Sequence, residues 1–292
     1  MRQVVLPAMP EIGPLYRRAA LGLAPGLGAG RRPDRLPDVE LLVHGVTVDR
    51  DRLAEYDRVC GFRLSDTLPA TYPHVLAFPL ALRLMTAPEF PFPLVGLVHV
   101  ANRITLHRPI GAGEPLDVSV RAADLRPHDR GRQVDVICTA SVDGAVAWHG
   151  VSTYLRRESG AAGARRPGPD DRPPPPAATA RWRVGPRVGR DYARVSGDRN
   201  PIHTSRLAAR LLGFPRPIAH GMWSKARCLA ALDGRLPDAY TVDVSFKLPL
   251  RLPGTAAFTA TASADGGWTF GLHDPDRSRP YLTGSVTASP TV

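Results

Sequence analysis

The chain has 292 residues, enough for one large or two medium domains with a true hydrophobic core. Its formal net charge of +11 rests almost wholly on arginine, since Lys225 and Lys247 are the only lysines. Such a surface attracts acidic or phosphate-bearing partners, but no basic cluster is interleaved with aromatics and no nucleic-acid-binding motif occurs, which disfavours nucleic acid.

No apolar run approaches the roughly 20 residues of a membrane span, and the first thirty or so residues lack the layout of a secretion signal. The expectation is a soluble, cytoplasmic protein. Cys60, Cys138 and Cys228 are widely spaced and odd in number, so reduced core thiols are expected rather than a disulfide framework or a zinc site.

Residues 1–38 hold a short helical stretch at 15–23 and then a Gly/Pro/Arg-rich run. They read as an N-terminal extension that packs loosely or crosses the surface. Ordered structure is expected from residue 40, a β-rich segment followed by a helix over 52–59. Residues 72–85 form a longer apolar helix that Pro79 is able to start. Alternation marks strands at 98–106, 116–123, 133–142 and 145–155, with Asp143-Gly144 as the last hairpin turn. Residues 158–179 are a Pro/Gly/charged linker stiffened by four consecutive prolines. The second half then reads as a strand at 181–188, a helical turn at 191–195 and a helix at 205–212. A central helix follows Gly221, and four strands cover 241–248, 255–263, 268–273 and 281–287.

The two halves repeat each other. Tyr56-x-x-Val59-Cys60-Gly61-Phe62 matches Tyr192-x-x-Val195-Ser196-Gly197-Asp198, and Ile104 to Ile110 resembles Val244 to Leu250, each with a proline next to last. Under the first match Asp198 corresponds to Phe62 and His203 to Thr67, so the first copy keeps the frame and loses an acid and a base. A repeat this long points to a duplicated domain rather than a solenoid. The organisation is therefore an extension at 1–38, a degenerate copy at 39–157, the linker, and an intact copy at 180–292.

The intact copy concentrates its chemistry between Tyr192 and Gly221. Asp198 and His203 are joined through Asn200-Pro201, whose restricted dihedrals make a defined turn, and Gly197 permits a positive φ just before the acid. Pro217-Ile218-Ala219-His220-Gly221-Met222 leads into an apolar run, which sets Gly221 at or near a helix N-terminus where free N–H groups favour negative charge. An acid, a titratable ring nitrogen and an oxyanion donor are the parts needed to move an α-proton and a β-hydroxyl on a thioester. Alone, Asp198 is a turn carboxylate, His203 a core histidine and Gly221 a packing residue; together they read as catalytic. Asn200 reads as a positioner. Tyr192 and Ser196 read as mainly structural but within reach of a ligand. Ser224 is placed to orient water or the acid, and His220 adjoins the oxyanion position in a packing or capping role. Phe62, with the apolar stretch 77–85, reads either as core or as an acyl-chain pocket made from the emptied first site. His44, His74, His99, His107, His128, His149 and His273 show no metal spacing and are given no role; no metal site is expected.

The run Tyr192-x-x-Val195-Ser196-Gly197-Asp198-x-Asn200-Pro201-Ile202-His203 resembles the hydratase 2 motif of MaoC-like (R)-specific enoyl-thioester hydratases and dehydratases. Residues Pro217 to Met222 resemble the start of that family's central helix. The resemblance implies an α+β double hot-dog, two antiparallel sheets each wrapping a central helix and joined edge to edge as an internal pseudo-dimer, with further homodimerisation left open. It also implies reversible syn hydration of trans-2-enoyl thioesters to (3R)-3-hydroxyacyl thioesters. No cofactor is implied beyond the coenzyme A or phosphopantetheine of the substrate, which arrives as acyl-CoA or on an acyl carrier protein. A hot-dog thioesterase and a non-catalytic acyl-thioester binding or assembly subunit are the rival readings.

Overall fold

The computed structural model describes residues 1–21, 32–158, 177–277 and 279–289, so most of the expected linker lies outside the described residues. In the first half, β2 (Val39–Val46) is followed by α2 (Arg50–Cys60), α3 (Tyr72–Thr86) and strands β3 (Leu97–Leu106), β4 (Leu116–His128), β5 (Gly131–Val142) and β6 (Ala145–Arg157). The second half gives β7 (Ala180–Val184), α4 (Val188–Ser196), α5 (Pro201–Thr204), α6 (Arg206–Leu211) and α7 (Gly221–Ala230). Strands β8 (Tyr240–Phe246), β9 (Gly254–Ala262), β10 (Trp268–His273) and β11 (Pro280–Ala288) complete it. Each half orders its strands alike: β2-β4-β5-β6-β3 in one and β7-β9-β10-β11-β8 in the other. Pairing of β3 with β8 fuses them into one 11-stranded sheet. This is the double hot-dog.

The seam has a local twofold axis. The strand alignment that matches Ile104 with Val244 also matches Arg103 with Asp243, and these two residues face each other in the antiparallel β3–β8 register. Their side chains form an exposed ion pair at 3.5 Å. Equivalent main-chain bonds flank the axis on both sides: His107 N–H to Ala147 O and Lys247 N–H to Tyr281 O, both on the strand neighbouring the seam. The paired motif helices show the same relation. Both α2 and α4 end on a left-handed glycine, Gly61 at φ 83° and Gly197 at φ 79°, and their tyrosines Tyr56 and Tyr192 meet with ring centroids 6.2 Å apart.

The central helix α3 is apolar on nearly every face, and Leu80, Leu82, Leu84 and Met85 are all buried. Each such side chain stabilises the fold by about 2 kcal/mol. The stretch expected as a possible apolar cleft thus contributes to the packed core. Pro79 does not start this helix. It lies inside, while Pro73 occupies the first turn, where a missing N–H costs nothing. Residues 185–188 also depart from expectation, since β7 stops at Val184 and Val188 already begins α4.

Within the expected extension, residues 2–5 and 12–16 do not pack loosely. β1 (Arg2–Val5) adds a parallel strand beside β2. α1 (Ile12–Leu21) then packs Leu15 against Phe78 and Leu82 of α3, with Ile12 and Tyr16 alongside. Amphipathic burial of Leu15 and Ile12 drives this docking.

Lys225, one turn into α7, is completely buried. Its Nζ donates to Asn102 Oδ1 at 2.6 Å, Asn102 O at 3.1 Å and Val242 O at 3.2 Å, reaching both halves at the seam. Burial holds its pKa well below the usual lysine value. Replacing Lys225 by alanine opens a void and leaves three acceptors unmet, so denaturant unfolding should show a loss of about 3 kcal/mol.

Candidate active site

Asp198 follows Gly197, whose positive φ ends α4 and turns the chain. The positive φ favours glycine there, and a β-carbon would also press on the Ile12 side-chain tip of α1. The carboxylate is then held from several sides. Its Oδ1 accepts from Tyr16 Oη at 3.0 Å and from the Asn200 N–H at 3.2 Å, while Ser196 Oγ accepts from the Asp198 N–H at 3.2 Å. Ser196 in turn donates to Tyr192 O at 2.7 Å. Asn200 caps α5 by accepting from the Ile202 N–H, and Pro201 occupies that helix's first turn.

α5 brings His203 back toward Asp198. Its Nδ1 lies 2.8 Å from Ile218 O. A carbonyl only accepts, so Nδ1 carries the proton and the neutral ring leaves its Nε2 lone pair free. His220 stacks on it with centroids 3.7 Å apart and turns Nε2 toward Asp198 O at 2.9 Å. By the same reasoning that nitrogen is a donor. His220 O accepts from Ser224 Oγ at 3.2 Å, which ties the next helical turn to the cluster.

Asp198, His203 and His220 each offer a ligand-type atom within 4.8 Å of the others. The His220 Nε2–H is spent on a main-chain oxygen, while its Nδ1 is buried without a partner.

Burial raises the Asp198 pKa, but the imidazoles of His220 and His203, the Asn200 N–H and the Tyr16 hydroxyl outweigh it, leaving the carboxyl below its ordinary range. Burial lowers His203, only partly countered by Asp198. Burial and the neighbouring His203 push His220 down to about 3. The cluster therefore holds a carboxylate and neutral rings at neutral pH.

Gly221 is the first residue of α7, so its N–H has no partner within the helix. The Phe246 ring of β8 lies 3.0 Å from where a β-carbon would stand, so a larger residue does not fit without displacing that ring. Behind Phe246 stand rings from the first half. His99 meets Phe246 at 5.0 Å, Tyr154 at 4.7 Å and His74 at 6.3 Å. The Asp198 charge acts on His74, His99 and Tyr154 alike.

Asp198, His203, Asn200, Ser196, His220 and Gly221 thus lie together as the sequence suggested. Tyr192 is buried against His220 and Ser224 is buried in α7, both supporting the site from behind. Phe62 is elsewhere, stacked on Tyr56 with centroids 6.4 Å apart. Sequence reading missed Tyr16, His74, His99 and Tyr154. None has a local motif; Tyr16 bonds Asp198 directly, and the other three stack behind Phe246.

A family model described as MaoC like domain matches residues 173–268. Over 272 residues the chain is 42% identical to 3-hydroxyacyl-thioester dehydratase X of Mycobacterium tuberculosis, covering 92% of this chain and 95% of that protein. A crystal structure of HtdX from the same organism matches with a TM-score of 0.77 at 39% identity, over 86% of this chain and 100% of that one. A MaoC-like dehydratase from Phytophthora capsici shares the fold, with a TM-score of 0.70 at 18% identity over 87% and 96% of the two chains.

Tyr16→Phe removes one donor from the Asp198 carboxylate, which makes protonation easier. The carboxyl titration should move to higher pH, as followed by carbon-13 NMR of labelled aspartate, with the circular dichroism spectrum unchanged.

Proposed function

We propose, for a chain that belongs to the MaoC-like dehydratase family, reversible hydration of trans-2-enoyl thioesters to (3R)-3-hydroxyacyl thioesters. The observation that carries this reading is the convergence of Asp198 and His203 beside the first N–H of α7. Two proton-handling atoms remain free there, His203 Nε2 and Asp198 Oδ2, because Nδ1 and Oδ1 are already engaged.

In the dehydration direction, one of these two atoms takes the α-proton, and that same proton is then delivered to the departing β-hydroxyl, so the pair ends in the protonation state in which it began. The C–H and C–O bonds break on one face and water leaves. In hydration, a water between them gives its hydroxyl to the β-carbon, and a proton reaches the α-carbon from the same side. Charge that gathers on the thioester oxygen is met by the Gly221 N–H, an interaction worth about 3 kcal/mol in the transition state. The carbonyl itself accepts the electron pair, so the acid–base pair and the amide suffice for every step. Titration belongs to the Asp198–His203 pair jointly, because each charge acts on the other.

His74, His99 and Tyr154 of α3, β3 and β6 form a ring stack that meets Phe246, the ring beside Gly221, so the first half packs against the reacting cluster. This supports a single active site shared between the halves. No helix among the described residues is long and apolar enough to cross a membrane, in keeping with a cytoplasmic setting.

Crotonyl thioester hydration, followed as loss of the conjugated double bond, tests the reaction. Asp198→Asn should lower kcat about 10³-fold while ligand binding persists; an unchanged rate would remove the acid from the mechanism. Because burial holds His203 below the ordinary imidazole range, the neutral base survives to lower pH. The acid limb of kcat/KM should accordingly fall below the ordinary histidine value of 6.5.

A further inference from the structure

The stretch that joins the two reacting elements is unlike the rest of the surface. Residues 199–216 run from the position after Asp198 to the one before Pro217, and they contain Arg199, Arg206, Arg210 and Arg216 with no acidic residue. All four arginines are exposed, and none forms an ion pair among the described residues. Elsewhere many arginines are matched, as in Arg50–Asp66, Arg63–Asp233, Arg108–Glu114, Arg132–Glu158 and Arg194–Glu55.

The same stretch exposes leucine. Leu207 is 70% exposed, Leu211 79% and Leu212 43%, and Ala209 is the sole buried residue of α6. Leu207 and Leu211 are four apart, as are Arg206 and Arg210, so an apolar row and a cationic row run side by side along this helix. Exposing such leucines without a partner costs solvation free energy.

We infer that α6 and its flanks dock an acidic carrier protein that presents the acyl thioester on a pantetheine arm. This rests on the thioester reading above and names the carrier. Charge complementarity supplies the orientation: four unpaired arginines face an acidic surface, with both reacting elements at the two ends of the patch. The leucines decide between carriers. Phosphates of coenzyme A would engage arginine but leave Leu207 and Leu211 in water, whereas a protein helix covers both rows at once.

The test uses one crotonyl group on three carriers: acyl carrier protein, coenzyme A and N-acetylcysteamine. Two full-chain variants are compared with the wild type, Arg206→Glu/Arg210→Glu and Leu207→Ser/Leu211→Ser. Both should lower kcat/KM about tenfold on the carrier-protein substrate and leave the N-acetylcysteamine and coenzyme A substrates within about twofold. Wild-type turnover of the carrier-protein substrate alone should weaken steeply with salt. Equal loss on coenzyme A in the arginine variant would make the patch a phosphate site and overturn the proposal. So would no loss on the carrier protein, or a change confined to sedimentation, which would make the leucines a contact between copies of this chain. Binding of crotonyl carrier protein to immobilised wild type and variants reads the surface without turnover. If N-acetylcysteamine crotonate is not hydrated by the wild type, the reaction reading fails, and the binding arm still decides the docking.

Discussion

The pairing of β3 with β8, clamped by Lys225, governs the rest of the molecule. That lysine carries the amino group of α7 into the seam and gives it three oxygens, two from Asn102 and one from Val242. Asp243 acts on it from the exposed side of the seam, but its direct partners are peptide and amide oxygens, so loss of any acceptor is costly. Lys225 lies four residues after Gly221 and therefore on the same helical face. The contact that joins the halves also fixes where the first N–H of α7 points. Fold and chemistry share one anchor.

From that anchor the surroundings of the reacting cluster are assembled out of both copies. Duplication gave two frames, seen in the matching left-handed glycines Gly61 and Gly197. One frame retained Asp198 and His203. The other supplies the far wall through α3, β3 and β6, with His99 set between Tyr154 and His74. Burial pushes His74 to about 4 and His99 to about 3, so these rings stay neutral and offer hydrogen-bonding edges without competing for the substrate's protons.

How much of this was legible in the chain depends on how local each signal is. Asp198, His203 and Gly221 stand within one contiguous stretch whose turn and helix start are written in Pro201, Gly197 and the apolar run after Gly221, so their meeting could be read directly. The strands showed through alternation, and Asp143-Gly144 turned as expected with both residues at positive φ. Tyr16 could not be read, because its partner is 182 positions away and nothing in the short helix marks a role. β1 is four residues long and pairs in parallel across a long connection, which leaves no periodic signal. His74 and His99 looked scattered because metal spacing was the criterion, whereas their relation is to a carboxylate from the other copy. Pro79 lies inside α3 and not at its start. A proline inside a helix costs about 3 kcal/mol, and here the surrounding buried leucines outweigh it.

The ion pair on the twofold axis has a further meaning. In a dimer of identical lobes the residue on the axis must face its own copy, so arginine would oppose arginine or aspartate oppose aspartate. Arg103 against Asp243 is open only to two lobes that have diverged within one polypeptide. As an exposed attraction it is worth little. Its value lies in what it forbids: a lobe meeting its own kind from a neighbouring molecule brings like charges together, which discourages exchange of lobes between chains and keeps each intact copy beside the partner that evolved to serve it.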